Sequence, residues 1–438
     1  MKKSHNMEIG GSQASRFPQE SIIGDCSMPE QGRSWQQVRA ELIALKREDF
    51  DWRGGRIPLY TYYSDDELLA VSRDAYSLYF TENALGGRAF PSLVRMEEEI
   101  VRMCLALFHA PEGADGSFTS GGTESIFLAL KTARGLFRAR NPGTITPTVI
   151  VPRTAHPAFD KAADYLGIDV IRTCITGELR ADVAEIQAAI DKRTVMIVGS
   201  APCYPYGVYD SIASLAELAV SKGVWLHVDA CMGGFLAPFA RDEGYPIPDF
   251  DLSITGVSSL SADLHKHGFS ARGASVILYR SGELKGYQGF RFDNWPRGSY
   301  FTETFLGSRP GGSIASAWAV LQYLGRKGYR ELARKTMEAK EHLVRGIERI
   351  PELEVIRPSD LSIVLYRSID EEVDTNAIAE VLTERGWFVG RSREPQALHL
   401  SLNAVHAPAI DQYLVDLADA VEEVKISGRV GERDEATY

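Results

Sequence analysis

Four short stretches of the chain bring together residue types suited to a small, flat, anionic ligand. In Thr119-Ser120-Gly121-Gly122-Thr123-Glu124-Ser125, paired glycines open an apolar helical pattern. Backbone N–H groups and the positive end of the helix dipole would face an anion there, and Thr123 and Ser125 add hydroxyl donors. The stretch is neither a dinucleotide nor a P-loop fingerprint, so a nucleotide is not implied. Leu226-His227-Val228-Asp229-Ala230-Cys231 is an apolar run ending in a carboxylate, placed to meet a cationic ring nitrogen. In Ala262-Asp263-Leu264-His265-Lys266-His267, a lysine stands between two histidines in a stretch of low charge. Such a lysine, partly buried, loses pKa and attacks carbonyls. Finally, His156 follows the run TVIVP and could stack on a flat ligand.

Singly, each stretch has an ordinary structural reading: a capped helix, a loop carboxylate, a surface lysine, a lone histidine. Together they are a phosphate seat, a ring face, an anion for a pyridinium nitrogen and a Schiff-base lysine. Pyridoxal phosphate requires that set.

The elements that must position them follow from hydrophobic periodicity. Runs rich in β-branched residues at 148–152, 194–200, 224–230, 252–257 and 274–280 predict strands. Helical patterns at about 121–140, 156–166, 181–190 and 211–222 separate them. Strands apolar on both faces, alternating with helices, mean a largely parallel sheet covered on both sides. Helices are also expected near 34–45, 65–80 and 91–109. After Gly311-Gly312 one runs to about 349 and is followed by two short strands, a helix near 374–385 and a last helix after Pro408. Residues 1–33 are polar, Gly/Ser-rich and aperiodic, and are read as an arm.

Composition bounds the function. With Lys plus Arg at 48 and Asp plus Glu at 59, the net charge is −11, which argues against a nucleic-acid binder. No apolar run reaches the roughly 18 residues a membrane-spanning helix needs. The N-terminus lacks the apolar core of a secretory signal. Cys26, Cys104, Cys174, Cys203 and Cys231 are scattered without a CxxC pair, so neither a disulfide framework nor a metal site is expected. A cytoplasmic protein is the expectation.

On these stretches the chain resembles the group II decarboxylase branch of the fold-type I pyridoxal-phosphate enzymes, and within it the sphingosine-1-phosphate lyases. The likeness runs over roughly residues 34–425. It includes TSGGTES (119–125), AHPAFDKAADYLG (155–167), APCYPYGVYD (201–210), HVDACMGGF (227–235), SADLHKHGF (261–269) and GSRPGG (307–312). It implies an aspartate aminotransferase-like α/β fold with a mostly parallel seven-stranded sheet. The divisions would be an arm and helix over 1–60, a large domain over 61–312, and a linking helix with a small α+β domain over 313–438.

The resemblance also implies roles. Lys266 would form the Schiff base, Asp229 would pair with the pyridine nitrogen, and His156 would stack on the ring. Gly121, Gly122, Thr123 and His265 would hold the cofactor phosphate, with Gly311 and Gly312 adding contacts from a partner subunit. Cys231 would pack beneath the ring, and Tyr204 matches a family active-site tyrosine. Tyr62, Asn83 and Arg272 fall on the substrate side, with Tyr62 and Asn83 reaching the site of the other subunit in a homodimer. The implied reaction is retro-aldol cleavage of a phosphorylated 2-amino-1,3-diol, such as sphingosine 1-phosphate, to an aldehyde and phosphoethanolamine. The alternative is decarboxylation of an L-amino acid. A cofactor-binding module without catalysis fits less well, because Lys266, Asp229 and His156 are all present.

The departures fall on the substrate side. Gly86 replaces a family histidine, Pro58-Leu59 replace Ser-Gly, His267 replaces a tyrosine, and Arg272 stands where the family has lysine.

Overall fold

The computed structural model describes residues 27–143 and 145–432, so residues 1–26 of the expected arm lie outside the described residues. Contacts divide the chain into two units, Met1–Asp49 and Phe50–Tyr438. In the first, helix α1 (Trp35–Leu45) begins at a capping box in which the Ser34 hydroxyl accepts from the Gln37 N–H.

The second unit starts with α2 (Asp66–Leu78) and α3 (Pro91–Leu107). Strands and helices then alternate: β1 (Asp115–Thr119), α4 (Gly122–Arg140), β2 (Thr148–Pro152), α5 (Ala158–Leu166) and β3 (Asp169–Thr173). Next come α6 (Val183–Ala189), β4 (Thr194–Ser200), α7 (Ile212–Lys222), β5 (Trp225–Asp229), α8 (Ala237–Asp242), β6 (Val257–Ala262) and β7 (Ser275–Tyr279). The seven strands form one sheet in the order β1-β7-β6-β5-β4-β2-β3. All pairings are parallel except those of β7, which runs against both β6 and β1. Every residue of β2, β4 and β5 is buried, because helices cover both faces. Alternation along β4 shows the two layers. Ile197 packs with α7, α8 and the start of the long C-terminal helix, whereas Met196 and Val198 pack with α4 and α5.

One expected strand moves. Leu252–Gly256 is a turn, and the strand begins at Val257. Asp251 accepts from the Ser253 N–H and hydroxyl at 2.9 and 2.6 Å, and Gly256 takes φ +106, so the apolar residues there cannot extend. β6 therefore contains Ser258, Ser259 and Ser261, whose polarity hid it.

A short helix α9 (Gly282–Lys285) and a hairpin, β8 (Phe290–Phe292) with β9 (Tyr300–Thr302), lead to α10 (Gly311–Ile347). The helix is interrupted at Gly325, where φ is 53° and ψ −175°. Its first half packs on the large sheet's core through Ile314, Ala315 and Val320, and its last turns on the C-terminal core through Leu343, Val344 and Ile347. That core lies under an antiparallel sheet of β10 (Leu353–Val355), β11 (Ile363–Ser368), β13 (Gln396–Ser401) and β12 (Gly390–Arg393), with α11 (Thr375–Glu384) and α12 (Ile410–Ser427). Residues 56–59 join this layer: the Phe388 N–H donates to the Arg56 carbonyl and the Ser401 N–H to the Pro58 carbonyl, at 2.9 and 2.7 Å. No helix among the described residues is long and apolar enough to cross a membrane.

The turn before β6 is the testable joint. A Cβ at Gly256 would meet the Ala216 carbonyl oxygen at 2.6 Å, in a backbone conformation that L side chains avoid. Gly256→Ala is expected to destabilise the protein by about 2 kcal/mol or more, read as a lower urea midpoint. An unchanged midpoint would contradict the packing of this turn.

Candidate active site at the carboxyl edge of the sheet

Because β1, β2, β4, β5 and β6 share one direction, their carboxyl ends meet along one edge, and antiparallel β7 begins there. A cavity of about 400 Å³ opens at that edge, within the size range of small-molecule sites. Gly121, Gly122, Thr123, His156, Tyr204, Asp229, Cys231, His265, Lys266, Arg272 and Tyr62 all line it.

The floor is the start of α4. Gly121 has φ +156, and a Cβ at Gly122 would sit 2.8 Å from Cys231 Sγ and 3.0 Å from the Asp263 carboxylate. Only glycine leaves room there. Ser120 donates both its N–H and its hydroxyl to Glu124 Oε2 at 2.6 Å, which fixes the loop that precedes the helix. Ser125, expected among the anion donors, instead points into the core. It is fully buried and bonds Thr119 and Ser275 at 2.6 and 2.9 Å.

Lys266 follows β6 in a tight turn. Its Nζ lies 3.0 Å from Asp263 Oδ2, and His265 Nε2 lies 3.6 Å from the same oxygen. Burial works to raise the Asp263 carboxyl, but Lys266 and His265 outweigh it and hold it below the usual carboxylate range. Asp263 was not anticipated as a site residue. The only signal was its place three residues before the lysine.

Asp229 ends β5. Its Oδ1 accepts from the Cys231 N–H at 3.1 Å and the Ser261 hydroxyl at 3.3 Å. His156 follows β2, and its Nδ1 accepts the Ala158 N–H at 3.0 Å. Burial lowers its pKa, so the ring is neutral with its proton on Nε2. The Cys231 thiol is buried and pushed well up in pKa, which makes it a packing group rather than a nucleophile. Tyr204 is held through its carbonyl, which lies 3.0 Å from His399 Nε2.

At the mouth, the Arg272 guanidinium lies 5.7 Å from the centre of the Tyr62 ring and donates to the His265 carbonyl at 3.3 Å. Tyr62 was expected from a partner subunit, but it lines the cavity of its own chain and packs edge-on against His267 at 4.9 Å. The segment 56–61 carries it there by pairing with the C-terminal strands. His267, beneath it, bonds Ser362 Oγ at 3.2 Å.

Three expected residues do not line this cavity. Asn83 Oδ1 accepts from the Leu85 and Arg309 N–H groups at 3.0 and 3.1 Å, and its Nδ2 donates to Ser308 Oγ at 3.0 Å. The Gly311 N–H donates to the Glu82 carbonyl at 2.9 Å, and a Cβ at Gly312 would meet the Tyr76 ring at 2.8 Å.

The pyridoxal-dependent decarboxylase conserved domain matches residues 58–369. The chain belongs to the pyridoxal-dependent decarboxylase family. Within that family it is sphingosine-1-phosphate lyase-like. It is 39% identical over 406 residues to the sphingosine-1-phosphate lyase of Oryza sativa subsp. japonica, covering 91% of this chain and 74% of that one. A solved sphingosine-1-phosphate lyase from Burkholderia pseudomallei superposes with a TM-score of 0.87 at 37% identity, covering 92% and 93% of the two chains. A probable L-aspartate decarboxylase of Pyrococcus furiosus is 31% identical over 365 residues, covering 83% and 95%.

The family's cofactor is pyridoxal 5'-phosphate, and the residues present fit it. Gly122 leaves a cradle that a Cβ would fill, the α4 N-terminus and His265 offer donors to a phosphate, and Lys266 and Asp229 face the same cavity.

Four imidazoles are buried, His227, His267, His399 and His406, and two are half-buried, His156 and His265; desolvation lowers the pKa of all six. His227 is pushed down to about 4 and His267 to about 3 by burial. As pH falls below roughly 6.5, unfolded chains take up protons that the folded state refuses until much lower pH. The stabilisation is complete above that value and falls as pH drops, for His227 down to about 4 and for His267 down to about 3. The melting temperature should therefore drop clearly between pH 7.5 and pH 5, and a flat profile would contradict these buried neutral rings.

Proposed function

We propose that this chain, a pyridoxal phosphate-dependent lyase, cleaves a phosphorylated 2-amino-1,3-diol, sphingosine 1-phosphate or a close analogue, to an aldehyde and phosphoethanolamine. The observation that carries the reading is the convergence of Lys266, Asp229, His156 and His265 on one cavity with Arg272 at its mouth. Its support from relatives is the likeness, over nine-tenths of the chain, to proteins named as such lyases.

Bound pyridoxal phosphate supplies an aldehyde carbon reactive towards amines and an electron-withdrawing pyridinium ring. Lys266 would be the amine that holds the aldehyde carbon until a substrate amine takes it over. Asp229 would keep a proton on the ring nitrogen. Gly121, Gly122, Thr123 and His265 would hold the cofactor phosphate, with His156 and Cys231 offering packing surfaces for its ring. Arg272 and Tyr62 face the substrate, and the guanidinium fork suits its phosphate. A base near Tyr204 or His156 would take the proton of the β-hydroxyl; His156 itself has its proton on Nε2 and its Nδ1 occupied by the Ala158 N–H, which favours the Tyr204 side. The carbon–carbon bond then breaks, the aldehyde leaves, and the α-carbon is reprotonated. We further place the enzyme in the cytoplasm as a homodimer, with Asn83, Gly311 and Gly312 turned to the neighbouring subunit.

Decarboxylation of an L-amino acid is the second reading, because a guanidinium at position 272 suits a carboxylate equally and the archaeal relative is a probable L-aspartate decarboxylase. Incubating the cofactor-loaded protein with a phosphorylated 2-amino-1,3-diol and with a panel of L-amino acids separates the two. Aldehyde and phosphoethanolamine are expected from the diol, and neither from Lys266→Ala. Carbon dioxide from an amino acid without aldehyde from the diol would overturn the lyase reading.

A further inference from the structure

Behind Asp229, away from the cavity, a row of polar side chains runs through the interior between β5 and β6. Strand periodicity puts Trp225, His227 and Asp229 on one face of β5. Register sets His227 opposite Ser259, and Asp229 opposite Ser261. The Trp225 Nε1–H donates to Ser259 Oγ at 2.7 Å, and that oxygen is 2.8 Å from His227 Nδ1. His227 Nε2 is 3.2 Å from Ser261 Oγ, and Ser261 Oγ is 3.3 Å from Asp229 Oδ1. His227, Ser259 and Ser261 are wholly buried.

The direction of every proton in this row follows from its far end. An indole N–H can only donate, so Ser259 accepts from Trp225 and turns its own proton to His227 Nδ1. Burial keeps the imidazole neutral, which leaves its one proton on Nε2. That proton goes to Ser261, whose hydroxyl hydrogen is then committed to Asp229 Oδ1. With the Cys231 N–H on the same oxygen, Oδ1 has two donors, and Oδ2 is left for the cavity that Asp229 lines. In a dry interior such a row is polarised along its length and strengthens its last bond.

We propose that His227 is a positioning residue which, through Ser261, holds the Asp229 carboxylate turned to the ring nitrogen of the cofactor. The proposal rests on Asp229 being the partner of that nitrogen. A histidine that merely fills the core would support the fold without favouring any particular atom of the ligand.

Binding of two ligands separates these roles: pyridoxal phosphate, and its 1-deaza analogue in which carbon replaces the ring nitrogen. Dissociation constants are measured by titration of the full-length apo-protein and of its Ser261→Ala, His227→Leu and His227→Gln variants. The unsubstituted protein should prefer pyridoxal phosphate. Ser261→Ala and His227→Leu should each lose about tenfold in affinity for it, the worth of one hydrogen bond to a charged group, and little for the analogue. His227→Gln carries an amide N–H in place of Nε2–H and should keep the preference. An undiminished preference in Ser261→Ala overturns the proposal, and that small substitution decides the matter if His227→Leu does not fold. No preference in the unsubstituted protein overturns the reading of Asp229 itself, and the proposal with it.

Discussion

The parallel ladder of β4, β5 and β6 is the constraint on which the site depends. It brings Ser200, Asp229 and Ala262 to one edge, and the turn after Ala262 then sets Lys266 over the same cavity as Asp229. Reversal of β7 adds Arg272 from the opposite direction, at the start of a strand rather than its end. A shift of one residue between β5 and β6 would turn Ser261 away from Asp229 and cost the carboxylate one of its two donors, about 1.5–3 kcal/mol for a hydrogen bond to a charged group. Register is thus enforced by the same groups that make the site.

Two carboxylates and one ammonium close together would be unfavourable in such an enclosure were each not separately satisfied. Asp229 takes donors from its own loop and from β6, whereas Asp263 takes Lys266 and His265. The division keeps the carboxylate assigned to the ring nitrogen apart from the one that steadies the lysine turn. Neutral histidines suit this enclosure, since a further cation beside Lys266 would oppose its charge.

Much of this was legible in the sequence because the signals are local. Gly121-Gly122 before an apolar helix, an apolar strand ending at Asp229, and the His265-Lys266 pair each declare themselves within a few residues. What escaped was set by distant pairing. β6 was displaced by five residues, because its serines read as a loop, and those serines matter only opposite Trp225 and His227, more than 30 residues away. Tyr62 was assigned to a neighbouring subunit because no local feature announces that residues 56–59 pair with the C-terminal strands. Asp263 escaped because a carboxylate near a lysine in sequence is usually a solvated surface pair.

Chemical trapping of Lys266 tests the assembled site most directly. The cofactor-loaded protein is reduced with borohydride, digested, and the peptides are sequenced by mass spectrometry. This arrangement predicts a reduced pyridoxyl phosphate adduct on Lys266. An adduct on another lysine, with Lys266 unmodified, would contradict it.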